Sequence, residues 1–298
     1  MSASLLLIKR NIKLFFKDKG MFFTSLITPA ILLVLYATFL GKVYRDSFTS
    51  SLPEMFTLPE KIINGLVGSQ LMSSILAVSC VTVAFCSNFL MVQDKVNGTV
   101  KDLRISPVKS YVLSLSYYAA TFVSTLIICF TATAICLVYI AVVGWYMSLS
   151  DVLLLLLDVF MLVLFGTALS SLINLFLSTQ GQLSAVGTII SAGYGFVCGA
   201  YMPIYSFSEG LQKAIMFLPG TYGTSLVRNH SMRGVLSEMQ NEGVPAEVIS
   251  GIKDSLDCNL YFFENQVDIP IMYVILSISI AVLVAAYITV NALRKKTA

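Results

Sequence analysis

Six long apolar runs decide what this chain can fold into. They lie at about 21–41, 65–92, 111–143, 152–177, 183–201 and 269–293. A helix needs about 20 mostly apolar residues to cross a bilayer. Six such runs in one chain exceed what a single soluble core can bury. Composition agrees: 57% of the residues are hydrophobic and 12% charged, with a mean hydropathy of +0.84. An average soluble domain is roughly a quarter charged. A soluble enzyme, a nucleic-acid binder and a disordered chain are excluded. The expected class is an all-α polytopic membrane protein, with residues 1–298 forming one transmembrane domain.

Basic residues orient the runs. Lys9, Arg10, Lys13, Lys17 and Lys19 precede the first. Lys95, Lys101, Arg104 and Lys109 join the second to the third, and Arg294, Lys295 and Lys296 end the chain. The positive-inside rule puts all three groups, and both termini, in the cytoplasm, within a multi-pass protein of the cytoplasmic membrane. A cleaved signal peptide fits poorly, because the first apolar run is too long and no A-x-A-like site follows it. The third run is long for one crossing, about 50 Å of helix against a core of about 30 Å. It must tilt, or begin in the cytoplasmic interface.

Residues 4–19 read as an amphipathic interfacial helix. Leu5, Ile8, Ile12, Phe15 and Phe16 share one face, and Lys9, Arg10, Lys13 and Lys17 the adjoining one. Such a helix lies on anionic lipid, as a plain anchor or as a lever to a cytoplasmic partner. Residues 42–64, with Pro53 and Pro59, read as an outer loop. Residues 202–268 form the one sizeable external segment. Its 207–228 stretch fits a re-entrant or interfacial helical hairpin broken at Pro219-Gly220. From Pro245 an amphipathic helix follows, with Val248, Ile249, Ile252 and Leu256 as its stripe.

The chemistry-bearing residues are few. Five of six cysteines sit in apolar runs, so no disulfide framework follows, and the single histidine argues against a His-built metal site. No metal or cofactor is expected on this chain. No P-loop motif occurs, so if ATP drives this protein, another polypeptide binds the ATP and Mg. Asp158 is the one acidic residue inside a run. It fits a hydrogen bond to a Ser, Thr or Tyr of a neighbouring span, or contact with a substrate or water-filled pathway. Gly187, Ser191, Gly195 and Gly199 form a small-residue stripe, for packing within the chain or for a face near a dimer axis or pathway. His230, within Asn229-His230-Ser231, reads as a surface residue.

The loop after the second run carries the clearest motif. It reads Gln93-Asp94-Lys95-Val96-Asn97-Gly98-Thr99-Val100-Lys101-Asp102-Leu103-Arg104-Ile105-Ser106-Pro107-Val108. Thr99 with Asp102 can cap a short helix that Pro107 stops. The run resembles the cytoplasmic loop of ABC-2-type exporter permeases at Asp94, Gly98, Thr99, Leu103, Ser106, Pro107 and Val108. Val96 and Asn97 depart from that pattern. A second stretch also resembles the family: Gly199-Ala200-Tyr201-Met202-Pro203, then Leu211, Ile215, Pro219 and Tyr222.

The resemblance implies six transmembrane helices, a cytoplasmic coupling helix between spans two and three, and a re-entrant segment before span six. It implies an exporter subunit moving a drug, lipid or lipid-linked glycan outward, working with an ABC ATPase and a second permease chain. The coupling residues would be Asp94, Gly98, Thr99, Leu103, Ser106 and Pro107. Two rival classes fare worse. A membrane-embedded enzyme lacks a cluster of polar catalytic groups. An ion-coupled transporter would show broken helices in matching halves.

Overall fold

The computed structural model describes residues 3–51, 58–105 and 108–294. Ser106, Pro107, Pro53, Lys295 and Lys296 lie outside them. Twelve α-helices are present among the described residues: α1 Ala3–Lys17, α2 Lys19–Leu35, α3 Gly41–Ser51, α4 Glu60–Val96, α5 Thr99–Ile105, α6 Ser110–Val143, α7 Leu149–Phe176, α8 Gln180–Val197, α9 Glu209–Ile215, α10 Pro219–Asn241, α11 Ala246–Ser255 and α12 Ile269–Arg294. A two-stranded antiparallel hairpin, β1 Leu260–Phe262 and β2 Asn265–Val267, precedes α12. The apolar spacing had not announced it.

Helix α4 is the hub. Helices α2, α6, α7, α8 and α10 all pack on it. Leu76, Ala77, Val78, Cys80, Val81, Val83 and Ala84 expose no surface. Its many serines explain the fit, since in lipid it is close backbone approach, not hydrophobicity, that draws helices together. Gly166 of α7 shows how close: a Cβ there would lie 2.7 Å from the Cys80 carbonyl oxygen. Only glycine lets these two parallel helices meet.

The outer faces of α2, α6 and α12 are apolar and exposed, as at Phe23, Ile31, Val138, Val142, Ile278 and Val282. That is the surface a bilayer covers. Five helical stretches are long and apolar enough to cross one: Lys19–Asp46, Glu60–Val96, Tyr111–Val143, Leu149–Phe176 and Ile269–Leu293. The run at 183–201 becomes α8, which is not among them. It has 18 residues, opens on Gln180-Gly181-Gln182, and ends where Gly199 turns at φ +75°.

Three other details differ from expectation. The first span does not end near Gly41 in a loop. It passes through a π-helical turn, Tyr36–Leu40, into α3, with Tyr36 and Tyr44 stacked at 5.6 Å. In α1 the residues facing the bundle are Leu7, Asn11 and Phe15, whereas Leu5 and Phe16 are exposed. Packing on α6 selected a different stripe from the one with most apolar residues. The start of α6 accordingly lies against α1, which accounts for its extra length.

Helix α10 continues to Asn241, well beyond the hairpin that the sequence suggests over 207–228. It runs antiparallel to α7, with Arg233 near Asp151, His230 at Asp158 and Gly223 against Leu162. Its first turns therefore reach midway along α7, and fifteen of its residues are buried among α4, α7 and α12. The chain breaks at Met216–Leu218 and Pro219 opens the new helix, where its missing N–H costs nothing.

Candidate functional site

Two ends of the bundle carry the polar chemistry. At the basic end, α4 gives way to α5 through Gly98, whose φ is +80°. Gly98, not Thr99, stands before the first helical residue, and its carbonyl accepts the N–H groups of Lys101 (2.8 Å) and Asp102. Leu103 is half-buried, packed with Val100 and Val108 against the cluster of Met91, Leu113 and Tyr117. It is therefore an inward anchor of α5 and not its outward face. The outward apolar residue is Ile105, 86% exposed.

Asp94 does not face outward either. It is buried, receiving Arg10 Nη1 at 2.7 Å and the Tyr117 hydroxyl at 2.5 Å. The neighbouring Lys95 donates to the carbonyls of Asn174 (2.9 Å), Leu175 (3.1 Å) and Leu177 (3.3 Å), where α7 ends and its dipole is negative. Higher up, Asn88 donates to Ser170 and Ser171. The root of α4, which carries α5, is thus tied to α1, α6 and α7 together. Arg10, Lys95 and Tyr117 were legible only as positive-inside charge and an interfacial aromatic.

Toward the far end lie two buried carboxyl groups, Asp158 and Asp257, each with side-chain partners. Asp158 is fully buried. His230 Nδ1 meets its Oδ2 at 2.6 Å, and the Tyr273 hydroxyl donates to Oδ1. The expected Tyr partner from a neighbouring span is present, together with a histidine. His230 is 3% exposed, so its assignment to the surface was wrong; Ser231 is buried as well. Nothing next to His230 in the sequence signals its burial, because the carboxylate it meets lies 72 positions away.

The second contact is Arg228, 1% exposed. Its Nη1 donates to Leu256 O (2.6 Å) and Asp257 Oδ2 (3.2 Å), and Nη2 to Gly199 O (2.9 Å). Asp257 also accepts the Ile204 N–H at 3.0 Å. Burial pushes the Asp257 carboxyl up to about 6, although Arg228 draws it down. Gly199 is required here: its φ of +75° and the 2.9 Å from a built Cβ to Asp257 both exclude a side chain.

The rest of the small-residue stripe packs within the chain. Gly187 lies against the Phe89 ring and Gly195 against Tyr201, whose hydroxyl donates to Ser191 O at 3.3 Å. Pro203 precedes a 3-10 turn, Ile204–Ser206, and the buried Tyr222 donates to Met216 O at 2.7 Å, closing the break before α10.

A hub helix within apolar-faced neighbours, with its ionic groups buried at helix junctions, defines a multi-pass helical membrane protein. The family follows from the comparison with known families. The ABC-2 type transporter model matches residues 3–230, from α1 into α10, and the chain belongs to that family. It is thereby a permease of an ABC transporter, a class that works with an ABC ATPase subunit. No curated protein and no solved structure matches the chain.

Proposed function

We propose that this chain is the permease subunit of an ATP-driven exporter that moves a hydrophobic or amphiphilic substrate outward across the cytoplasmic membrane. The basic end faces the cytoplasm, and α8 completes six crossings with the five longer stretches. Two permease chains, identical or paired, enclose the pathway, and two ATPase domains bind ATP and Mg. The pathway opens alternately to either side as the ATPases close and part.

One observation carries this reading: α5 stands at the shared root of α4 and α6 and presents Ile105 outward. A push on α5 reaches α4 directly. Through Asp94 and Lys95 it also reaches α1, α6 and α7. Gly98 and Thr99 form the entry to this lever and Leu103 its inner anchor. Asp158 and the Gly187, Ser191, Gly195, Gly199 stripe serve packing in this reading.

The test is Ile105→Asp in the permease co-produced with its ABC ATPase subunit. Ile105 leaves no core contact when changed, so membrane abundance should be normal. ATPase association or substrate-stimulated hydrolysis should fall about tenfold or more, as an unpaired charge buried in a contact costs several kcal/mol. Normal export by Ile105→Asp at normal abundance would show that α5 is only a positive-inside turn.

A further inference from the structure

We infer that the cavity between α9 and the β-hairpin is a binding site for an organic ammonium group, the cationic head of a small amine or amphiphile. The cavity measures about 250 Å³ and lies away from α5, toward the end that holds Asp257. Sites for whole drug-sized ligands run from about 300 to 1,000 Å³, so this one suits a head group.

Its frame is fixed. Asp257 forms part of the floor, and its bonds to Arg228 and to the Ile204 N–H join the two sides of the cavity. Ile204, Met216 and Leu260 complete the floor and belong to the buried core.

The charge on the walls is not matched. Arg228 balances Asp257. Glu209 and Lys213 stand four residues apart on α9, a spacing that suits an ion pair, yet they form none. Asp254 receives the Asn259 amide (2.8 Å) and the Tyr261 hydroxyl (3.0 Å) on Oδ1 alone. Among the described residues nothing donates to its Oδ2. Two carboxylates against one lysine leave the cavity with an excess negative charge. That excess favours a cationic head over a neutral or anionic one. N–H groups on the cation would fill Asp254 Oδ2 and the Glu209 carboxylate with charge-assisted hydrogen bonds.

Phe263 is an independent pointer. It takes the first position of the two-residue turn between Phe262 and Asn265, at φ +56°. That left-handed region suits Gly or Asn, and a bulky ring is an outlier there. Burial does not account for the ring, which is 59% exposed. It lines the cavity together with Tyr205 and Tyr261. Tyr261 is held by Asp254, and Phe263 rests edge-on against Phe262, which meets Phe217 in the same way. Aromatic faces attract organic cations, and carboxylates beside them add to the attraction. The strained turn therefore places a ring where an ammonium group would sit. This chemistry does not depend on the direction of transport, so the inference stands apart from the export reading.

The probe is n-hexylammonium, with 1-hexanol and hexanoate as neutral and anionic counterparts of the same length. Binding is followed by saturation-transfer NMR on the full chain in lipid nanodiscs near neutral pH, with discs lacking protein as the blank. Saturable binding of hexylammonium, about tenfold or more tighter than either counterpart, is expected. Asp254→Asn should weaken it about tenfold. In Phe263→Asn the turn gains a residue suited to its backbone, so the melting temperature should not fall, while binding weakens about threefold or more. A ring with a purely structural role would not separate the two readouts. Should Asp254→Asn lower the melting temperature, the exposed change Glu209→Gln takes its place, with a loss of about threefold expected. Equal binding of the three probes overturns the inference. Wild-type affinity in Phe263→Asn, or in the carboxylate variant that stays folded, overturns it as well.

Discussion

The two ends of the bundle both bury charge, and they do it differently. At the basic end Arg10 keeps 30% of its side chain exposed while holding Asp94. Its stem lies along apolar surface and its head reaches water, so the tie can loosen at little cost. At the far end Arg228 is 1% exposed, and no water replaces a lost partner. One contact suits an adjustable joint at the root of α4. The other suits a rigid cap joining the end of α8, α10 and the turn after α11. Burial, more than the number of bonds, separates an adjustable tie from a lock.

The comparison breaks most easily at Arg228. Arg228→Met should destabilise the folded protein by about 3–5 kcal/mol, because Asp257 is left buried and unpaired. Thermal unfolding and the monodisperse fraction in nanodiscs measure this. A variant as stable as wild type would mean that the cap is no lock.

Asp257 sharpens the same point through pH. Its folded value of about 6 lies above its ordinary 3.8. The folded state therefore binds this proton more tightly than the unfolded one. The stability from that proton is present below about pH 4 and is lost as pH rises through 6. Two units correspond to about 3 kcal/mol at most. Melting temperature should fall between pH 4.5 and 7, and Asp257→Asn should flatten that slope while lowering the baseline. An equal slope in the variant assigns the pH dependence to another group.

Asp94→Asn should have the smallest effect on stability, about 1 kcal/mol, since Arg10 can turn to water and Tyr117 retains an acceptor. Hydrogen exchange should quicken in residues 3–17 with yield unchanged. A collapse in yield would place Asp94 with the rigid contacts and erase the difference between the ends.

Much of the fold was legible because bilayer crossing imposes a length and an apolarity that a linear pattern records. The ranges of α4, α6, α7 and α12 lie within a few residues of the runs that foretold them. Helix α11 also follows its stripe, with Ile249, Ile252 and Leu256 buried. The π-helical turn, the hairpin and the inward stripe of α1 were not legible. Each depends on a neighbour that a single run does not contain.

The site divides the same way. Thr99 with Asp102, and Pro107, announced a short helix after the second span, and α5 is there, with Gly98 rather than Thr99 before its first residue. That Leu103 points inward and Ile105 outward was decided by the α4–α6 surface on which α5 rests. Asp158 stood out by its depth, whereas His230 looked ordinary because its partner lies 72 positions away.

By itself the sequence determined that this protein lives in a membrane, where most of its long helices lie along the chain, and which loop resembles the ABC-2 family. These follow from local composition, since transfer into lipid is set residue by residue. Tertiary structure alone decided that α10 runs antiparallel along α7, that Arg228 and His230 are buried, and that Asp94 roots α4 on α1 and α6. Pairing a buried charge requires a partner within about 3 Å, and those partners lie 29, 72, 84 and 23 positions away along the chain.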